Sequence, residues 1–278
     1  MSDYTFLTSC YIKSDIEEFE LAMLSMLNQT LPPGQIVVVC DGEISEGLSN
    51  LINSFAENNE NLFTIVRLEK NQGLGIALRE GTSYCRNDII VRMDMDDICI
   101  SERCEKQIKY LDEHSDIDVV GSNIEEFIEN EDCCEDIRAV PETHEEICKY
   151  MKLRTPFNHM TVAMRKSALE KAGGYEHWWL HEDLYLWVRM YLAGCKFYNI
   201  QENLVHVRVG KAMCARRGGY KYYKSEKGLY KFMYKNKVIS WGEFHKAKLI
   251  RFVVHVLMPN GLRQWFYKRF ARRKKSEN

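Results

Sequence analysis

Apolar and polar positions along the first hundred residues switch repeatedly between a strand period and a helix period. Residues 5–10 form a short, mostly apolar run that predicts a strand. Ser14, with Glu17 three residues on, has the form of a capping box and predicts a helix to about residue 29. Pro32-Pro33-Gly34 breaks the chain, and residues 36–40 (Ile-Val-Val-Val-Cys) read as a strand buried on both faces. A polar helix over 46–57 and a strand over 63–68 follow. A loop, Asn71-Gln72-Gly73-Leu74-Gly75, then opens a helix ending near Cys85, and a fourth strand covers 89–93. This alternation predicts βαβ units and a mostly parallel sheet.

The middle of the chain is less regular. Ser101 is placed to cap a helix reaching Glu113, residues 119–127 have strand character, and Thr143 with Glu146 forms a second capping box for a helix to about Leu153. Residues 161–164 suggest a strand. Residues 182–192 read as a helix closed by Gly194. Past Gly210 long Tyr- and Lys-rich helical segments replace the alternation, with no strand signal. This divides the chain into an α/β unit over 1–210 and a helical extension over 211–278.

Composition narrows the class. The 278 residues are 45% hydrophobic and 28% charged, as in an ordinary folded protein, and the net charge of -2 gives no general attraction to nucleic acid. Ten Lys or Arg nevertheless fall after Glu243, against only Glu243 and Glu277. Ten cysteines occur without a C-x-x-C pair and without a basic, apolar leader, so they are expected to be reduced in a cytoplasmic protein. No role attaches to the adjacent pair Cys133-Cys134. No run reaches eighteen apolar residues, so no membrane-crossing segment is expected.

Candidate chemistry lies at strand ends, where ligands bind in open α/β sheets. Asp41-Gly42 follows the second strand and reads either as a turn or as a ligand contact. Asp94-Met95-Asp96-Asp97 follows the fourth. Three carboxylates in four residues repel one another unless a cation neutralises them, and Mg2+ is commonly held by one or two carboxylates with substrate phosphates completing its shell; the alternative is a solvated acidic turn. Neither a P-loop nor a dinucleotide glycine fingerprint is present, and a diphosphate held by metal rather than by a glycine loop points to a nucleotide-sugar.

The ordered set Thr8-Ser9-Cys10-Tyr11, residues 27–33, Val37 through Gly42, residues 71–78, Arg92 through Asp97, Gly173-Gly174-Tyr175 and residues 182–187 resembles the inverting family 2 glycosyltransferases of GT-A fold, especially the bacterial capsule and exopolysaccharide branch. The resemblance covers residues 4 to about 210. It implies a metal-dependent inverting hexosyltransferase using Mn2+ or Mg2+. The donor is expected to be a UDP-sugar and the acceptor a lipid-linked oligosaccharide, in capsule, exopolysaccharide or O-antigen synthesis. By resemblance Asp41 binds the uracil or ribose, Asp94 and Asp96 form the D-x-D pair with Asp96 the direct metal ligand, and Asp183 is the catalytic base. Thr8, Tyr11, Asn71, Gly73 and Arg79 join Asp41 and Asp94 around the donor. Glu182-Asp183 also suits simple acid placement at a helix N-terminus.

The chain departs from the family pattern in places. Ile12 and Arg79 stand where Asn is usual, and Arg79 is able to reach a phosphate. The His that completes the metal shell in many relatives is missing after Arg208; either His206 substitutes or the shell is thinner. His159, Trp178, Trp179 and Glu182 are expected on the acceptor side, with a buried aromatic cluster as the alternative for the tryptophans. The apolar and basic tail, including Trp265, Phe266 and Phe270, reads as helices lying on an anionic membrane surface at the inner face of a bacterial plasma membrane, or as a helical cap with a solvated basic end. No nucleic-acid module accompanies the charge. A nucleotidyltransferase and a non-catalytic assembly factor are the rival functions.

Overall fold

The computed structural model describes residues 1–128, 133–134, 136–209, 218–259, 261–262 and 273–274. Four parallel strands form its centre: β1 (Tyr4–Cys10), β2 (Gln35–Cys40), β3 (Phe63–Arg67) and β4 (Ile89–Arg92), in the spatial order β3-β2-β1-β4. They are connected by α1 (Ile16–Leu27), α2 (Glu46–Asn58) and α3 (Leu74–Tyr84). Every residue of β2 is buried, as its unbroken apolar run requires. Alternate residues serve opposite faces: Val37 and Val39 pack into one core cluster, Ile36 and Val38 into the other.

A short strand β5 (Ile98–Cys99) and helix α4 (Arg103–Glu113) lead into a second, mixed half. It contains β6 (Val119–Phe127), β7 (Asp136–Arg138), α5 (His144–Met151), β8 (Ala163–Arg165), α6 (Lys166–Lys171), α7 (Glu182–Leu192) and β9 (Phe197–Arg208). β8 joins the halves, running antiparallel to both β4 and β6. β9 lies parallel to β6 and antiparallel to β5. The last described elements are α8 (Tyr220–Lys235), α9 (Trp241–Phe252), a π-helical turn over Val253–Leu257 and β10 (Arg273–Lys274), which pairs with β7.

Several expectations shift. Asp15, not Ser14, caps α1, accepting from the amides of Glu17 and Glu18 at 2.9 and 3.1 Å. Ser101 does not cap α4; its hydroxyl donates to Glu102 instead. β5, β9 and β10 carry no strand signal in the sequence. In β9 the two-residue period is broken by a bulge: Ile200 pairs with Ser122 and Asn203 with Asn123, leaving Gln201 and Glu202 out of register. β10 lies where only helix was expected, its two residues being too few to show a period. The core runs on past residue 210, since Leu229, Tyr230 and Met233 of α8 pack in one cluster with Leu7, Phe157 and Trp187. Trp265, Phe266 and Phe270 lie outside the described residues.

Candidate active site

The carboxyl ends of β2 and β4 carry the first part of the site. Asp41, one residue past β2, accepts hydrogen bonds from the amides of Gln72 and Gly73 at 2.7 and 2.9 Å, while Asn71 Nδ2 donates to the Asp41 carbonyl at 3.1 Å. Gly42 allows this approach: its φ is +82°, and a Cβ there would lie 2.4 Å from the Asn71 amide nitrogen. Asp41 thus holds the loop that begins α3.

At the end of β4, the buried Arg92 forks onto both carboxylate oxygens of Asp94, at 2.6 Å for Nη1 and in a closer contact for Nη2. Burial alone would lower the Arg92 pKa, but the charge and hydrogen bonds of Asp94 outweigh it and hold the guanidinium charged. Arg103, also buried, donates to the Arg92 carbonyl at 2.8 Å and so fixes the turn from behind. Asp96 is exposed, yet the surrounding protein and then the Asp94 charge push its carboxyl up to about 6. Asp97 is 2% exposed and accepts from the Arg208 amide at 2.9 Å, tying this turn to the end of β9; burial, then Asp96 and Asp94, raise it well above the usual carboxylate range.

The second part comes from the N-terminus of α7. Asp183 accepts from the Thr155 hydroxyl at 3.1 Å. Burial, then the charge of Asp183, raise Glu182 to about 7, with Asp94 adding to the push and Arg92 opposing it. The D-x-D turn and α7 therefore share one electrostatic field. Close packing sets this approach: a Cβ on Gly75 of α3 would lie 2.7 Å from the Glu176 carbonyl and 3.4 Å from the Glu182 Cβ. Leu180, just before the acidic pair, takes a φ of +59°, a conformation that costs an L side chain about 1–2 kcal/mol.

The structure thus brings Asp41, Asn71, Gly73, Asp94, Asp96, Glu182 and Asp183 to one end of the sheet and moves other expected contacts away. Thr8 is fully buried inside β1, so its hydroxyl does not line a ligand surface, whereas Tyr11 just beyond the strand is 40% exposed. Arg79 lies exposed on α3, where its charge adds to the burial that lowers the Arg189 pKa. His159 is not an acceptor contact: it is 9% exposed, hydrogen bonded to the Tyr175 hydroxyl at 3.1 Å, and held neutral by burial and then the Arg92 charge. Trp178 is half-buried against Tyr185 and donates to the Ser225 carbonyl at 3.2 Å, while Lys221 covers the Trp179 ring at 4.4 Å. Both half-buried tryptophans thus contact α8. His206 is not in the aspartate cluster; its Nε2 lies 3.7 Å from Glu125 Oε2. Arg92, to which the sequence alone assigned no role, sits at the centre of the site. Its signal was a charged residue inside an apolar strand directly before the acidic turn.

The ligand oxygens of Asp94, Asp96 and Asp97 lie within 4.8 Å of one another. An all-oxygen set in which burial and then neighbouring charge push Asp96 and Asp97 toward the neutral form fits a hard divalent cation. With Arg92 occupying Asp94, Asp96 is the most open donor.

A parallel sheet with acidic residues at the carboxyl ends of β2 and β4 and a carboxylate pair facing them from a helix defines a GT-A glycosyltransferase fold. Solved structures agree: S. aureus TarS 1-349 in complex with UDP-GlcNAc superposes with a TM-score of 0.66 at 15% identity, covering 91% of this chain and 73% of that one. A Pyrobaculum calidifontis mannosyltransferase in complex with GDP-Man and Mn2+ gives 0.65 at 15% identity, covering 94% and 72%. The profile of Glycosyl transferase family 2 matches residues 9–173, more than half of the chain, and the chain belongs to that family. At 36% identity it is similar to the Erwinia amylovora amylovoran biosynthesis glycosyltransferase AmsE, over 96% of this chain and 98% of the relative. It is equally similar to an Escherichia coli UDP-Gal:alpha-D-GlcNAc-diphosphoundecaprenol beta-1,3-galactosyltransferase, over 97% of each.

Proposed function

We propose that this glycosyltransferase moves a hexose, with inversion, from a UDP-sugar to a lipid-linked oligosaccharide in bacterial surface-polysaccharide synthesis. The observation that supports the mechanism is the approach of Asp94 to the Glu182-Asp183 pair, close enough that, after burial and the Asp183 charge, Asp94 adds to the rise of Glu182; a diphosphate-binding turn and a proton acceptor on one crevice would have this arrangement. The near full-length relatives that act in amylovoran synthesis and on a diphosphoundecaprenol-linked sugar support the substrate class.

In this reading Asp41 and the Asn71–Gly73 loop receive the nucleoside, and Asp96 with Asp94 holds Mn2+ or Mg2+. The ion supplies Lewis-acid stabilisation of the departing diphosphate. Asp183, positioned by Thr155, accepts the acceptor hydroxyl proton as that oxygen bonds to the anomeric carbon and the bond to the diphosphate breaks on the opposite face. Glu182, raised to about 7 by burial and then the Asp183 charge, is held toward its neutral form, which limits the negative charge at the start of α7.

The exposed side chains Trp241, Leu249, Ile250, Val253 and Leu257, with the exposed Lys246, support attachment of α9 and the π-helical turn to an anionic membrane surface at the inner face of the plasma membrane. No helix among the described residues is long and apolar enough to cross a membrane.

The test measures nucleoside diphosphate release across UDP-sugars with Mn2+ or Mg2+ and a polyprenyl-diphosphate-linked acceptor. Asp96→Ala is expected to lose donor binding and turnover. Asp183→Asn should retain donor binding and lose about 10^2- to 10^4-fold in transfer. Transfer at the wild-type rate by Asp183→Asn would refute the base assignment, and no release with any donor would refute catalysis.

A further inference from the structure

We infer that the chain carries a second metal site, built by Glu125, Cys134 and His206, which takes a borderline-soft cation such as Zn2+ and clips Cys134, two residues before β7, onto β6 and β9. The three side chains offer one oxygen, one sulfur and one nitrogen, all within 4.8 Å of one another. This mixed donor set differs in kind from the all-oxygen turn at Asp94–Asp97 and shares no residue with it. Thiolate and imidazole favour Zn2+ over Mg2+, and three protein ligands leave a fourth position for water.

The strand register makes the site. Glu125 and His206 are direct partners across the parallel β6–β9 pair, so both side chains emerge on one face. Cys134, two residues before β7, lies within reach of both side chains, and Asp136 of β7 pairs with Glu126. Asn203 Nδ2 donates to Glu125 Oε1 at 3.0 Å, which orients the carboxylate as outer partners of metal ligands do. The other oxygen, Oε2, then sits 3.7 Å from His206 Nε2. That is long for a hydrogen bond, and near the ~3.3–3.5 Å separating two ligands on a tetrahedral Zn2+ with bonds of ~2.0–2.2 Å. Glu125 and His206 are 12% and 26% exposed, so the position is recessed but accessible.

The site gives a role to two residues the transfer reaction leaves unused, Cys134 and the His206 that lies apart from the aspartates. It also bears on the active site. Arg208, two residues beyond His206, donates its amide to Asp97, so a cation on His206 steadies the strand end that holds the D-x-D turn.

The experiment uses the full chain, purified reduced, stripped with a chelator, and titrated with Co2+ and then Zn2+. One equivalent of Co2+ is expected to give a thiolate-to-metal charge-transfer band with tetrahedral visible bands, which Zn2+ then bleaches. Cys134→Ser should abolish the charge-transfer band. His206→Phe and Glu125→Gln should each weaken binding by more than about 10-fold, the loss that removal of an outer-shell partner alone produces. Cys133→Ser and Asp96→Ala should leave the spectrum unchanged, with circular dichroism confirming the fold of each variant. Absence of a thiolate band in the wild type, or its persistence in Cys134→Ser, overturns the site. Loss of the band in Asp96→Ala also overturns it, because a site that shares no residue with the aspartate turn would keep its thiolate ligand, and leaves the transferase reading intact.

Discussion

Asp96 and Glu182 are carboxyls that the folded protein prefers to keep neutral, at about 6 and about 7. A carboxyl raised on folding contributes stability below its unfolded pKa and loses that contribution as pH rises through the folded value. The metal-free protein is therefore expected to lose stability between about pH 4 and pH 7, where both groups charge. Glu182→Gln removes one of these charges. It should raise the Tm of metal-free protein at pH 8 and give no gain at pH 4. The scale is about 2–4 °C, the effect of about 1 kcal/mol in a protein of this size. An equal shift at both pH values would show that Glu182 is not held neutral. By the same linkage, Mn2+ should stabilise the protein more at pH 8 than at pH 5, because Asp96 must be charged to bind it. At this scale the reactive residue types were legible in the sequence, since acids crowded at a strand end repel one another until a cation or ligand meets them. Solvent access was not legible. Thr8 and His159 match in type and position, but Thr8 lies inside the sheet, and His159 sits beneath Arg92 and Tyr175.

Among the elements, the π-helical turn after α9 has the least expected role. It turns His255 inward to Glu226 of α8, at 2.9 Å, and Arg251 reaches the other Glu226 oxygen at 2.9 Å. Burial would push Glu226 up, but the His255 hydrogen bond and the Arg251 charge outweigh it and hold the carboxyl below its usual range. The cluster touches the start of α7, since the Tyr222 ring packs on His255 on one side and on His181, directly before Glu182, on the other. Arg251→Ala is expected to destabilise the protein by about 3 kcal/mol, because it leaves a buried carboxylate without its permanent cation, as read by urea unfolding. A change under about 0.5 kcal/mol, the scale of an ordinary surface substitution, would contradict that role. The local origin of the first four strands and three helices made them readable: each carries its own period, cap or break. β9 was not, because its pairing with β6 depends on residues 78 or more positions away and its bulge erases the alternation.

For the whole molecule, the packing of α8 and α9 changes how membrane attachment is best tested. Deleting everything after residue 243 removes Arg251 and His255 along with the exposed apolar face, so lost binding would not be separable from lost stability. Leu249→Glu combined with Leu257→Glu alters only exposed positions. The pair is expected to reduce co-sedimentation with anionic vesicles by at least about 10-fold and leave urea unfolding unchanged, since about 1.4 kcal/mol corresponds to tenfold and burying a single Leu contributes about 1.5–3 kcal/mol. Undiminished co-sedimentation would exclude this face as the contact.

The amino-acid sequence by itself determined the α/β order of the first half, the family, and the acidic residues at Asp41, Asp94, Asp96 and Asp183, because these rest on local periodicity and on residue type at strand ends. Tertiary structure alone decided which of those acids share a field, how Arg92 occupies Asp94, and why His206 faces Glu125 rather than the D-x-D turn. Those outcomes depend on strand register and burial, which arise only when segments distant in sequence pack together.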